Sequence, residues 1–216
     1  MINTGNDNSS TLYIVDDDPA IRASISDLMN SVGVSTRTFA CAEDFLDARS
    51  ANLSGCLLLD VRLPGMNGME MLAKLSESGF NIPIIIMTAH GDMAMVRKAL
   101  KSGAVEFLVK PFRDEELLEA VEQAFAVNCA RQRAGSLLNS IQTRTGTLTK
   151  REHQVMALVA TGLTNKEIAE KLNLSVGTVK LHRGQMMRKM EVETLADLVK
   201  IWERIDPSRY PSRGSV

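Results

Sequence analysis

Cysteine is scarce in this chain of 216 residues: there are three, Cys41, Cys56 and Cys129, widely spaced and without a CxxC pair or a Cys/His ligand spacing. That excludes a disulfide framework and a cysteine-based metal site, and it predicts reduced core thiols. No apolar run approaches the roughly 20 residues of a membrane span, and the first ten residues are a polar tail without the basic-then-apolar order of a signal peptide. A cytoplasmic protein without membrane contact is the expectation. Nor is there a large net charge, the formal value being -1. That figure conceals an asymmetry, because residues 1–140 hold 12 Lys and Arg against 18 Asp and Glu, whereas residues 141–216 hold 13 against 8. The chain is an acidic unit followed by a basic one.

Gly55 and Pro64-Gly65 bound the run Cys56-Leu57-Leu58-Leu59-Asp60, which is apolar until it ends on a carboxylate. It predicts a buried strand of a parallel sheet. An ionised Asp is expensive to bury, so at a strand's carboxyl end Asp60 belongs in a crevice with a partner. Comparable strands are predicted over 12–15, 35–39, 84–88 and 106–109. Helical patterns follow each of the five: from Pro19, with Ile21, Ile25, Leu28, Met29 and Val32 on one face, over 42–48, 68–78 and 93–102, and from Asp114. Alternation at this spacing, with no sequence repeat beneath it, calls for an α/β doubly wound parallel sheet with helices on both faces.

The pattern from Asp114 carries Leu117, Leu118, Val121 and Phe125 inward, then turns polar and basic from Asn128 to Ser140. A projecting helical linker is expected, weak at Gly135 and fraying around 143–147. Thr149 with Glu152, and Thr164 with Glu167, fit the capping box. Ser175 and Thr194 are further N-cap candidates, with turns at Gly162 and Asn173. A small all-α unit of four helices follows.

Asp16, Asp17, Asp60, Thr88 and Lys110 all fall at or just past predicted strand ends, which in an open α/β sheet face one crevice. Three carboxylates held together need a hard cation, and Mg2+ suits oxygen ligands. Lys110 and Thr88 could hold the oxygens of a phosphoryl group, which makes Asp60 a candidate nucleophile and aspartyl phosphate. In the basic unit, helices over 165–172 and 176–190, joined by Asn173-Leu174-Ser175, form a helix-turn-helix pattern. The second places Thr178, Lys180, His182, Arg183, Gln185, Arg188 and Lys189 among Val179, Leu181, Met186, Met187 and Met190. An apolar face to dock and a basic face to read is what a major-groove helix requires.

Over roughly 12–125 the sequence resembles the receiver domain of two-component response regulators, through Val15-Asp16-Asp17, Leu59-Asp60 with Leu63-Pro64-Gly65, Met87-Thr88-Ala89 and Val109-Lys110-Pro111-Phe112. Over 148–202 it resembles the LuxR-type DNA-binding domain, through the two capping boxes and Thr178-Val179-Lys180-Leu181-His182. The combination is that of the NarL/FixJ class, with His90-Gly91-Asp92 leaning towards FixJ. The resemblance implies a flavodoxin-like receiver, strand order 2-1-3-4-5, over 11–127, a linker over 128–146, an output domain over 147–205 and tails over 1–10 and 206–216.

It further implies that Asp60 accepts phosphate from a sensor histidine kinase. Asp17, Asp60 and the Arg62 carbonyl would bind Mg2+ or Mn2+, with Asp16 acting through water. Phe107 would be the switch aromatic, without the hydroxyl of the Tyr often found there, and Lys110-Pro111 a cis bond. Homodimerisation, promoter DNA and RNA polymerase complete the expected partners. Lys180 and Arg183 are the candidates for base contacts, with Lys166, Thr178 and Lys189 on phosphates and Leu181 a further DNA-binding candidate; Gly184 interrupts that helix. Arg62 and His90 lie two residues after Asp60 and Thr88, at the rim where bulk would obstruct hydrolytic water. Two alternatives stay open: a phosphorylation-independent regulator, and a Mg2+-dependent phosphatase, whose usual second Asp is Arg62 here.

Overall fold

A computed structural model of the chain describes residues 11–48, 53–89 and 93–205. The expected tails and the His90-Gly91-Asp92 motif lie outside the described residues. The chain divides into two compact units, 1–132 and 133–216.

In the first unit, β1 (Thr11–Val15), β2 (Ser35–Phe39), β3 (Gly55–Asp60), β4 (Ile84–Thr88) and β5 (Glu106–Val109) form one parallel sheet in the order β2-β1-β3-β4-β5. They alternate with α1 (Pro19–Ser31), α2 (Ala42–Ala48), α3 (Gly68–Glu77) and α4 (Met93–Lys101), and β5 leads into α5 (Asp114–Gly146). Side chains of a strand point to alternate faces, so both sides of the sheet need cover. Tyr13, Val15, Leu57, Leu59, Ile84 and Ile86 pack with Phe45 of α2 and Met71, Leu72 and Leu75 of α3. Leu12, Ile14, Leu58, Ile85 and Met87 pack on the other side with Ile25 and Met29 of α1 and Leu117, Val121 and Phe125 of α5. Each such burial is worth about 1.5–3 kcal/mol.

Two sequence expectations need correction. Cys56 is buried and Cys41 half-buried, but Cys129 is exposed rather than a core thiol. It lies one residue off the inward face of α5 that carries Val121, Phe125 and Asn128. Nor does α5 fray: it is helical to Gly146, and the hydroxyls of Thr143 and Thr145 donate back to the carbonyls of Asn139 and Ile141 at 2.9 and 2.8 Å. Ile141 is 1% exposed, so the segment has tertiary packing to hold it.

In the second unit, α6 (Lys150–Ala160), α7 (Asn165–Leu172), α8 (Val176–Lys189) and α9 (Leu195–Ile205) enclose Val155, Met156, Ile168, Val179, Met186, Met190, Leu198 and Trp202. Both capping boxes form, on Thr149 with Glu152 and on Thr164 with Glu167. Ser175 caps α8, and Asn173 takes the left-handed conformation at the end of α7, which makes the short turn between them.

Candidate functional site

The register brings the strand ends together. Val15 pairs with Leu59, Asp60 with Met87 and Thr88 with Val109, so Asp16, Asp60, Thr88 and Lys110 emerge at one edge of the sheet. The main-chain amide of Lys110 donates to the Thr88 carbonyl at 2.7 Å, which aims its side chain back over the edge. Its ammonium lies 2.6 Å from Asp16 Oδ2 and 2.6 Å from Asp60 Oδ2. The Lys110-Pro111 bond is cis.

Each carboxylate is oriented by main-chain donors. Asp16 Oδ1 accepts the Asp18 amide at 2.9 Å, and Asp60 Oδ1 accepts the Arg62 amide at 3.1 Å. Arg22 donates to the Asp16 carbonyl at 2.6 Å, while Asp18 caps α1 through the Ala20 amide. Asp16 is wholly buried and Asp60 nearly so, whereas Asp17 is exposed. Burial pushes the Asp16 carboxyl above the usual carboxylate range, against the pull of the Lys110 hydrogen bond. Burial alone would lower the Lys110 ammonium, but hydrogen bonds and charge from Asp16 and Asp60 outweigh it and raise its pKa.

Oxygens of Asp16, Asp17 and Asp60 lie within 4.8 Å of one another. When all three are ionised, the single lysine leaves two negative charges uncompensated. An all-oxygen donor set with that deficit fits a small hard dication and offers nothing to a soft metal. Thr88 is buried beside this edge, and Phe107, paired with Ile86, is half-buried against the face of Tyr13 and Leu57.

Sequence reasoning missed Gly68. A Cβ there would collide with the Asp60 carbonyl, and the Gly68 amide donates to the Val61 carbonyl at 2.9 Å, so α3 begins directly against the backbone of the acidic strand. The only local signal is a glycine immediately after the N-cap Asn67.

On α8 the expected DNA-binding residues divide. Val179 and Met186 face the core, while Lys180 is exposed and Leu181 is 59% exposed, an unusual state for leucine. Gly184 and Arg188 continue the same outer face at helical spacing; the sequence placed Arg188 on the basic face but not among the DNA-contact candidates. Arg183 donates to Asn165 of α7 at 3.1 Å, and the Thr178 and Ser175 hydroxyls are 2.8 Å apart. Lys189 is held by Glu152 at 2.7 Å and by the Thr147 carbonyl at 3.1 Å, while Lys166 is exposed.

An acidic crevice closed by a lysine at the carboxyl edge of a β2-β1-β3-β4-β5 sheet, followed by a basic helix-turn-helix unit, defines a two-part regulator. Residues 12–122 match the response regulator receiver domain, and residues 146–202 match the luxR family of bacterial regulatory proteins. Among relatives, the response regulator protein TodT of Pseudomonas putida is 42% identical over 202 residues, covering 94% of this chain and 89% of its own. The transcriptional regulatory protein FixJ of Bradyrhizobium diazoefficiens is 37% identical, covering 88% and 93%. The structure of the response regulator StyR is similar with a TM-score of 0.83 at 42% identity, over 91% of this chain and 100% of that one. Full-length FixJ from B. japonicum gives 0.57 at 36%, over 92% and 98%. The chain belongs to the two-component response regulators of the NarL/FixJ class, transcription regulators rather than classical enzymes. Among the described residues no helix is long and apolar enough to cross a membrane.

Proposed function

We propose that Asp60 accepts a phosphoryl group from a sensor histidine kinase and that the phosphorylated chain dimerises and binds promoter DNA. The observation that carries this reading is the Lys110 ammonium, 2.6 Å from both Asp16 and Asp60. A carboxylate oxygen of Asp60 attacks phosphorus as the bond to the donor's histidine nitrogen breaks. Lys110 exchanges its Asp60 contact for a phosphoryl oxygen. Thr88 hydrogen-bonds another, and Phe107 turns into the space Thr88 leaves. Asp17, Asp60 and the Arg62 carbonyl, with Asp16 in the outer shell, would hold Mg2+ or Mn2+. Bound there, the dication neutralises charge on the transferring group.

The domain limits that fit this reading are 11–127 for the receiver, 128–146 for the linker and 147–205 for the output. Lys180, Leu181 and Arg183 meet base edges while Lys166, Thr178 and Lys189 meet phosphates; both Arg183 and Lys189 keep donors beyond those they already use. The protein works in the cytoplasm alongside RNA polymerase, and its acyl phosphate ends by hydrolysis past a rim that includes Arg62. Incubation with acetyl phosphate and Mg2+ should add one phosphoryl group by intact mass, lost in Asp60→Asn and without Mg2+, and should tighten DNA binding. Equal uptake by Asp60→Asn would end this reading. Unphosphorylated protein binding DNA equally well would favour the constitutive alternative.

A further inference from the structure

Three helices of the unit 133–216 end in the same hydrogen-bond pattern on three different residues. α6 closes on Gly162 at φ 84, with the Leu163 amide reaching the Leu158 carbonyl at 3.4 Å. α7 closes on Asn173 at φ 54, with the Leu174 amide on the Ala169 carbonyl at 2.9 Å. α8 closes on Glu191 at φ 53, with the Glu191 amide on Arg188 at 3.2 Å and the Val192 amide on Met187 at 3.1 Å. Left-handed backbone is free for Gly and tolerated by Asn, but it strains Glu. Strain of this kind persists only where the surroundings over-determine it.

What surrounds Glu191 is the last turn of α5. Arg144 Nη1 donates to the Met190 carbonyl at 3.2 Å, and its Nη2 lies 2.9 Å from Glu191 Oε2. The Thr145 hydroxyl stands 4.0 Å from the Met190 sulfur, and the Thr147 carbonyl, just past α5, holds Lys189. The closing amides of Met190, Glu191 and Val192 satisfy the carbonyls of Met186, Arg188 and Met187, and the Met190 carbonyl lies just past the helix. Arg144 donates to that cap carbonyl and sets a positive charge at the negative end of the α8 dipole. Glu191 is 67% exposed, so its ion pair alone contributes little; the carbonyl bond and the placement are what matter.

We propose that Arg144 is a positioning residue for the DNA-reading helix: from α5 it caps the C-terminal end of α8, so that α8 keeps its last turn only while α5 stays helical through Arg144. This rests on the reading of α8 as the helix that meets DNA. Loss of the cap frays α8 at Arg188 and Lys189, without Arg144 ever touching the nucleic acid.

The test uses the full chain and a duplex selected by it from a random pool, with binding measured across salt concentrations and amide exchange followed at Met190, Glu191 and Val192. Arg144→Ala should speed that exchange and weaken binding about fivefold, the scale of one helix-end charge and cap. A guanidinium that only bound phosphate would instead leave exchange at Met190, Glu191 and Val192 unchanged in the DNA-free protein. Glu191→Gly, which relieves the left-handed strain, should restore exchange protection and affinity in the Arg144→Ala background. Unchanged exchange in Arg144→Ala, unchanged affinity, or no rescue by Glu191→Gly would each overturn the proposal. A wild-type chain that selects no duplex would sink the DNA reading itself, and the exchange measurement would then decide the cap alone.

Discussion

The Lys110 ammonium lies 2.6 Å from a carboxylate oxygen of Asp16, a side chain wholly shut off from solvent and 94 positions earlier in the chain. One cation is thereby shared between Asp16 and Asp60, while Asp17 adds a third negative charge at the exposed side. Asp17→Asn should therefore stabilise the metal-free protein by about 1 kcal/mol, the scale of two like charges about 4 Å apart in a watery site. The same variant should lose most of the stabilisation that Mg2+ gives the wild type. Urea unfolding with and without MgCl2 checks both, and a variant that gains as much from Mg2+ as the wild type removes Asp17 from the site.

Gly68 abuts the Asp60 carbonyl so closely that a methyl group has no room. Gly68→Ala is expected to cost about 1–3 kcal/mol, as overpacking does, and to slow phosphate uptake by shifting Asp60 away from Lys110. Denaturant unfolding and the rate of mass gain with acetyl phosphate measure the two effects. A stable variant with normal uptake would show that α3 gives way freely.

Glu152 is almost completely buried where it accepts from Lys189 and from the Thr149 amide, both at 2.7 Å. Burial pushes its carboxyl up, but those hydrogen bonds outweigh it and the net shift is downward. A depressed carboxyl pKa means stability that is present above the unfolded value of about 4.3 and is lost as pH falls through the lower native value. Trp202 is the single tryptophan and is buried in this unit, so its fluorescence during unfolding reports the unit alone. Stability read that way should fall on acidification below the ordinary glutamate range. Glu152→Gln should be weaker at pH 7 and flatter in that window; an identical slope would assign the acid sensitivity elsewhere.

Lys180 and Lys166 are both exposed on the helix-turn-helix, yet they should fail differently. Lys180→Ala should cost about 1–3 kcal/mol on the selected duplex and relax preference at one base pair, while Lys166→Ala should weaken every duplex alike and reduce the salt slope by about one. Competition binding against single-base variants across salt separates them. Should both variants keep wild-type affinity, neither lysine meets the DNA.

The acidic crevice was legible because each of its residues follows a strand that announces itself: an apolar run ending in Asp16, Asp60, Thr88 or Lys110 places the side chain without knowledge of the sheet order. The capping boxes were legible because their contacts span three residues. The end of α5 was not. Thr143 and Thr145 have poor helix propensity, and the hydroxyls bonding back one turn and the buried Ile141 override it. Gly68 escaped notice because its role is to have no side chain. Arg188 was named on the basic face but not chosen as a contact, because that choice depends on which face of α8 is turned outward, and the packing of Val179 and Met186 settles that.

The sheet order β2-β1-β3-β4-β5 has a consequence for synthesis. Asp60 leaves the ribosome 50 residues before Lys110, the side chain that completes its surroundings. A nascent chain halted after β4 carries all three carboxylates in its sequence without their lysine, and non-local strand pairing of this kind is the slow part of folding. A chain that has not yet added β5 thus offers an incoming phosphoryl group no cationic side chain from that edge. On the function proposed above, competence to receive a signal would be postponed until the receiver is finished, and a product truncated before β5 would stay deaf.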